Sequence, residues 1–349
     1  MSKINKITVS NFTKHKNTEF EFSNGINILI GENGTGKTHL LKLLYVFLNT
    51  LRKNANQEEV YFNQVSSVFR ASTFQDLVTN NSGKEATINY LYDNTDYSFS
   101  IFANETDIER LGNDESKFKN IVCKKNEGKK LEPSFVYIPT QEIISTYLDF
   151  RSIYEKYETK YESTYYDLSC KLQDPFVKEI GSLADIHQEI AKILGGNVSV
   201  DNGIYSIDYG SSKIAAPLLA EGFKKIALYD ILICNGNLTE NSILFIDEPE
   251  VHLNPRYISH FTDLIVSLAR KGVQIFIATH DYLLSHQLSL QSEYSDKIEN
   301  TPDMKFFCLE DSLDGLIVHE GTSLSQIEHN PILDEFVKHY DKEQELFNL

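Results

Sequence analysis

The sequence predicts an α/β protein built on a mostly parallel sheet, with a phosphate-binding loop near its start. Three observations predict it. Strand and helix patterns alternate through roughly the last 130 residues, the signature of parallel strands with helices on their faces. An apolar strand, Ile26-Asn27-Ile28-Leu29-Ile30, runs into a Gly-rich loop and then an amphipathic helix. A second apolar run, Ile243-Leu244-Phe245-Ile246, ends in two adjacent carboxylates, Asp247 and Glu248.

The elements follow in order. Ile4, Ile7 and Val9 near Phe12, then strict alternation over Thr18-Glu19-Phe20-Glu21-Phe22, read as half-buried strands. Ser23-Asn24-Gly25 is a turn, and the strand at 26–30 suits burial on both faces. A helix runs from about Lys37 to Arg52, with Leu40, Leu41, Leu44, Phe47, Leu48 and Leu51 on its apolar side. A further helix is expected near 57–70. Residues 87–92 and 97–102 flank Asp93-Asn94-Thr95-Asp96 as a hairpin. Lys124, Lys125, Lys129 and Lys130 surround Asn126-Glu127-Gly128, which reads either as a solvated hairpin tip or as a contact for nucleic acid or a partner. Ser134 to Ile138 is a strand, followed by Tyr-rich helices from about 141 to 194, and Asn202-Gly203 makes a tight hairpin turn. Helices at about 222–235, 255–270 and 281–290 alternate with buried-type strands at 243–246 and 273–278. Closing strands near 304–309 and 315–319 and a helix from about 331 end the chain.

Composition narrows the function classes. The 349 residues carry 33 Lys and Arg against 50 Asp and Glu, a net charge of −17. Gripping nucleic acid by bulk positive charge is disfavoured. The cysteines, Cys123, Cys170, Cys234 and Cys308, form no CxxC pair and read as buried thiols of a reducing compartment. The N-terminus lacks the apolar core of a signal peptide. The apolar stretch Leu40 to Leu48 is too short to span a bilayer, so a cytoplasmic protein without a membrane partner is expected.

Gly31-Glu32-Asn33-Gly34-Thr35-Gly36-Lys37-Thr38 fits the pattern GxxxxGK[ST], between a strand and a helix as that motif requires. Its glycines let backbone N–H groups approach phosphate oxygens, and the helix N-terminus adds its positive end. Residues Asn33, Gly34, Thr35, Gly36, Lys37 and Thr38 are therefore expected around ATP. Lys37 reaches the β- and γ-phosphates and the Thr38 hydroxyl ligates Mg²⁺. Asp247 at the end of its strand suits the Mg²⁺ shell, directly or through water, and Glu248 suits the general base. His280 ends the next apolar strand, 32 residues past Glu248, where it would meet the γ-phosphate and the lytic water.

In this order, the phosphate loop, the apolar strand ending in Asp-Glu and the strand ending in His resemble the ATP-binding-cassette class of ATPases. More narrowly, the chain resembles the RecF/SMC-like and OLD-like branch. Val9-Ser10-Asn11-Phe12-Thr13-Lys14 is similar to the strand-then-Asn-Phe opening of that branch, which implies Asn11 and Lys14 as further ATP contacts. Asp247 to Pro255 is similar to its DEPExxLxP segment. Leu219-Ala220-Glu221-Gly222-Phe223-Lys224-Lys225 stands where the family has its LSGGQ-like signature, which caps the nucleotide of a second subunit. The resemblance thus implies Ala220, Glu221, Gly222 and Lys224 acting in trans. Ala220 replaces the usual serine, and Lys224 or Lys225 would supply the missing charge. Gln141, after the strand at 134–138, is the candidate Q-loop glutamine at the metal, and Asn254 stands at the D-loop.

The implied fold is a P-loop NTPase, an ABC-type ATPase head with a mixed sheet and an inserted α/β lobe. Residues 1–54 and 215–349 form the core and 55–214 the lobe. No sustained heptad and no CxxC hook are visible, and the chain after the last core helix is too short for a TOPRIM nuclease. The resemblance implies an ATPase that dimerises around ATP and Mg²⁺. It would act as a switch or sensor, in bacterial anti-phage defence with a separate nuclease or toxin as effector. The alternatives are an ATP-gated scaffold with little hydrolysis and a RecF-like DNA repair ATPase, with DNA met by a local lysine surface. A transporter motor fits the opening strands poorly.

Overall fold

Six consecutive buried residues, Ile26–Gly31, form β3, and only a strand covered on both faces tolerates such a run. The computed structural model describes residues 2–53, 57–71, 73–79, 85–103, 121–125, 134–157, 161–313 and 315–347, with backbone alone for 121–125 and 157. Around β3 lies a six-stranded sheet in the order β14-β13-β3-β12-β11-β7. Its members are β7 (Ser134–Ile138), β11 (Ser242–Asp247), β12 (Gln274–Ala278), β13 (Met304–Ser312) and β14 (Gly315–Gly321). Five of these strands are parallel and β14 closes the edge antiparallel to β13.

A second sheet is antiparallel, in the order β2-β1-β4-β5-β6, from β1 (Ile4–Phe12), β2 (His15–Glu21), β4 (Glu85–Tyr92), β5 (Thr95–Phe102) and β6 (Ile121–Lys125). A third, small sheet joins β8 (Asn197–Asp201), β9 (Ile204–Asp208) and β10 (Lys213–Ala215). Both expected hairpin turns form. Asp93 and Asn94 (φ 49° and 60°), and Asn202 and Gly203 (φ 53° and 77°), take the paired positive φ of the tight turn that matches strand twist.

The helices are α1 (Lys37–Arg52), α2 (Gln57–Phe69), α3 (Tyr147–Tyr157), α4 (Ser163–Lys171), α5 (Ala184–Leu194), α6 (Glu221–Cys234), α7 (Pro255–Arg270), α8 (Tyr282–Glu293) and α9 (Pro331–Phe347). One apolar core, with Ile28, Ile30, Leu244, Ile246, Ile275 and Ile277, joins one face of the large sheet to α5–α8. The other, with Leu29, Phe135, Ile243, Phe245 and Phe276, joins the opposite face to α1 and the antiparallel sheet. Helix α1 therefore lies between two sheets. Every residue from Leu43 to Thr50 is buried, a deeper burial than a one-sided amphipathic pattern implies. Its polar members are paired inside: Asn49 Nδ2 donates to Gln64 Oε1 at 2.6 Å and Thr50 Oγ1 to the Val46 carbonyl at 2.8 Å. Gln274 joins the sheets, accepting from the Ile4 N–H at 2.9 Å and donating to the Ile4 and Ser23 carbonyls.

The stretch 55–214, expected as an inserted lobe, is divided in the structure. Strands β4–β6 extend the sheet begun by β1 and β2, and β7 pairs with β11 in the large sheet. Strand pairing outweighs sequence order, because an apolar edge strand such as β7 is stable only against a sheet. Of the lysine cluster near 124–130, Lys124 and Lys125 fall on β6, and the rest lies outside the described residues.

Phe47 stacks on Tyr90 at 4.1 Å between ring centroids and is fully buried between the layers. Replacing Phe47 with Ala is expected to cost about 3–5 kcal/mol, read as a lower urea midpoint with an unchanged slope.

Candidate functional site

Parallel register brings three strand ends to one edge. Leu29 of β3 and Asp247 of β11 both pair with Ala278 of β12, so the residues that follow these strands emerge side by side. The Glu248 N–H donates to the Ala278 carbonyl at 2.8 Å, and the Thr279 N–H donates to the Leu29 carbonyl at 3.0 Å. Glu248 holds a left-handed φ of 47°, a strained position for a side chain of this size. These backbone bonds set its carboxylate at the mouth of a cleft of about 160 Å³, lined by Lys14, Asn33, Gly34, Gly36, Lys37, Thr38, His39 and Glu248.

The loop before α1 is tied down from within. The Lys37 ammonium donates to the Gly31 and Glu32 carbonyls at 2.7 and 2.8 Å. The Thr35 hydroxyl donates to the Glu32 carbonyl at 2.9 Å, so Thr35 shapes the loop from a buried position. Beneath Gly36 sits His15, fully buried, with Nδ1 2.9 Å from the Thr18 hydroxyl and Nε2 3.5 Å from the Gly36 carbonyl. Burial pushes the imidazoles of His15 and His39 down to about 4, so both are neutral at pH 7.

The carboxylates are held differently from one another. Asp247 Oδ1 accepts from the Thr38 hydroxyl at 2.8 Å and Oδ2 from the Thr140 hydroxyl at 3.3 Å. Burial pushes the Asp247 carboxyl up to about 6 against these hydrogen bonds. Glu250 is buried, and its Oε1 accepts from the Thr279 hydroxyl at 2.7 Å and the His280 N–H at 3.1 Å. The His280 Nδ1 atom lies 3.3 Å from Glu248 Oε1 and 3.5 Å from Glu250 Oε1. Lys225 donates to the Glu248 and Pro249 carbonyls at 3.4 Å, and its burial lowers the ammonium to about 8. The hydroxyls of Thr38 and Thr140 and the Asp247 carboxylate form a hard oxygen set that suits Mg²⁺.

Thr38 meets Asp247 and Glu248 meets His280, and Lys14 lines the cleft while paired with Asp311 at 2.6 Å. Asn11 differs from expectation. Its Nδ2 donates to the Glu85 carbonyl at 3.3 Å, so it braces β1 rather than lining the cleft. Lys224 also differs: it is buried and paired with Glu142 and Glu221 of its own chain, at 3.6 and 2.7 Å, so its charge is met within the chain. Ala220 and Glu221 are exposed at the start of α6, and Gly222 packs against the loop at Leu253, where a Cβ would come within 3.2 Å. Gln141 is exposed beside Asp247, and its neighbour Thr140 makes the hydrogen bond. Asn254 caps α7, accepting from the Tyr257 N–H at 3.2 Å. Thr140 and His15 were not singled out by sequence, and Glu250 appeared there only within the DEPExxLxP segment, without a role. A polar residue just past an apolar strand is the one available signal for Thr140.

Residues 26–285 match the family profile described as "AAA domain, putative AbiEii toxin, Type IV TA system". Among curated proteins, the DNA replication and repair protein RecF of Ligilactobacillus salivarius is 29% identical over 97 residues, 25% of this chain and 26% of that protein. The DNA double-strand break repair Rad50 ATPase of Thermococcus kodakarensis is 46% identical over 46 residues, 13% of this chain and 5% of its own length. The chain therefore spans about a quarter or less of these relatives. Among solved structures, an Smc head bound to the C-terminal winged-helix domain of ScpA superposes with a TM-score of 0.55 at 14% identity, covering 92% of this chain and 98% of that one. The fold is thus that of a RecF/SMC-like ABC-class ATPase. Among the described residues no helix is long and apolar enough to cross a membrane.

Gly36 has a φ of 92°, and a Cβ there would lie 2.8 Å from His15 Nε2. Gly36→Ala is expected to destabilise the chain by about 1–3 kcal/mol in urea unfolding. A further His15→Ala change would recover only the steric part.

Proposed function

This chain belongs to the AAA-domain family described as putative AbiEii toxin of a type IV toxin–antitoxin system, and on that premise we propose that it binds ATP with Mg²⁺ and hydrolyses it as a switch. The observation that carries this reading is the 2.8 Å bond between the Thr38 hydroxyl and Asp247, which joins the phosphate loop to the acidic strand end across 209 residues of chain. Thr38 and Asp247 hold Mg²⁺, with Thr140 steadying the second carboxylate oxygen. When bound, Mg²⁺ neutralises charge building on the transferring phosphoryl oxygens. Lys37 exchanges its two loop carbonyls for phosphate oxygens. Glu248 orients water and takes its proton, and His280 approaches the γ-phosphate from β12. Glu250 acts through others, fixing the Thr279–His280 turn.

The exposed start of α6 supports a two-copy arrangement. Ala220 and Glu221 are exposed there, and a helix N-terminus favours the phosphates of a nucleotide held by another copy. Two sandwiched nucleotides then make closure depend on ATP, because ATP stabilises the closed form more than the open one. The family description names a toxin of a type IV TA system, and from the toxin–antitoxin pairing we infer a role in bacterial anti-phage defence beside a separate effector. The RecF and Rad50 matches favour a second reading, DNA repair, and stimulation of turnover by DNA would distinguish it.

Lys37→Ala is expected to abolish binding of a fluorescent ATP analogue. Glu248→Gln should bind it normally and turn over at least about 10²-fold more slowly in a phosphate-release assay. Wild-type turnover by Glu248→Gln contradicts the base assignment. Because burial pushes the Asp247 carboxyl up to about 6, protonation below that pH would compete with Mg²⁺. The Mg²⁺ concentration for half-maximal turnover should therefore be flat above about pH 7 and rise about tenfold per unit below pH 6.

A further inference from the structure

Away from the nucleotide cleft, α5 and α6 bring together His187, Asp230 and Cys234. Asp230 and Cys234 are four residues apart on α6 and so share one face, towards which His187 projects from α5. His187 Nδ1 lies 2.6 Å from Asp230 Oδ1 and 3.6 Å from Cys234 Sγ, and the three donor atoms all fall within 4.8 Å of one another. Asp230 is fully buried and Cys234 is 6% exposed, while the His187 side chain keeps 25% of its surface open to solvent.

An ion pair alone leaves this cluster incompletely satisfied. One Nδ1–H serves either the carboxylate or the sulfur, and the buried Asp230 Oδ2 has no hydrogen-bond partner. An orphaned buried oxygen costs about 1–3 kcal/mol. A catalytic Cys-His-Asp relay does not fit either, because it uses opposite ring nitrogens and here both partners face Nδ1.

We propose that His187, Asp230 and Cys234 form a Zn²⁺ site, with solvent at the fourth position. Imidazole, carboxylate and thiolate are all zinc ligands. Bonds of about 2.0–2.1 Å to nitrogen and 2.3 Å to sulfur at a tetrahedral angle set nitrogen and sulfur about 3.5 Å apart, close to the spacing found. The His187–Asp230 pair must open by about 0.7 Å to reach the corresponding nitrogen–oxygen spacing. That is the change made when a cation replaces their shared proton. On binding, Nδ1 gives up this proton while Nε2 carries the ring N–H, so the imidazole stays neutral, and the Cys234 thiol proton leaves to solvent. The ion would clamp α5 to the last turn of α6, the helix whose opposite end carries Gly222.

The test uses the full chain, nucleotide-free. Zinc content is measured by elemental analysis after gel filtration, and Co²⁺ is titrated in as a spectroscopic probe. The expected result is one zinc per chain and a near-ultraviolet thiolate-to-cobalt band that saturates at one equivalent. Cys234→Ser should remove the band and weaken zinc binding at least about tenfold. The wild-type cobalt spectrum needs no variant, and the oxygen set at Thr38 and Asp247 gives no thiolate band. A folded wild-type chain without the band, or unchanged zinc affinity in Cys234→Ser, overturns the proposal.

Discussion

The structure depends on the parallel pairing of β3, β12 and β11 in one register. Strands that run in the same direction finish at the same edge, and here Leu29 and Asp247 align with the same residue, Ala278. A shift of one residue in β11 would move Asp247 off the cleft and turn its buried neighbours to the wrong face. The phosphate loop, the acidic pair and the histidine turn are therefore consequences of one pairing pattern. Their positions are fixed before any ligand arrives.

That register is protected by burial on both sides. Ile28, Leu244, Ile246 and Ile277 face the α5–α8 layer, while Leu29, Phe245 and Phe276 face α1 and the antiparallel sheet. Helix α1 carries the loop at one end and packs against both sheets. It also reaches the helices beyond β7: Lys42 pairs with Glu162 at 2.5 Å, and the Tyr45 hydroxyl donates to Asp167 beside Asn49. Burial raises the Asp167 carboxyl, and Tyr45 holds it against that rise.

Local pattern made much of this legible. The β3-loop-α1 unit, both asparagine turns, α7 at 255–270 and the strands before Asp247 and Thr279 all follow from period and turn chemistry. The spacing GxxxxGK[ST] identified the loop because its chemistry is local. What was not legible is what long-range pairing decides. Whether β7 joins the large sheet depends on β11, more than 100 residues later. Asn11, read as a nucleotide contact, is drawn to Glu85 by the β1–β4 pairing, and Lys224 is drawn inward by Glu142. The converse holds for Thr140, His15 and Glu250. Their roles come from neighbours distant in sequence; Glu250 falls within the DEPExxLxP segment, but that spacing does not state its role.

If ATP closes two copies of this chain around the cleft and the start of α6, sedimentation of Glu248→Gln with and without ATP and Mg²⁺ reads that closure. The expected mass is 39.9 kDa without nucleotide and twice that with it, reverting when Gly222 is replaced by a bulky residue. A mass that ATP leaves unchanged, in protein shown to bind it, would rule out the two-copy closure.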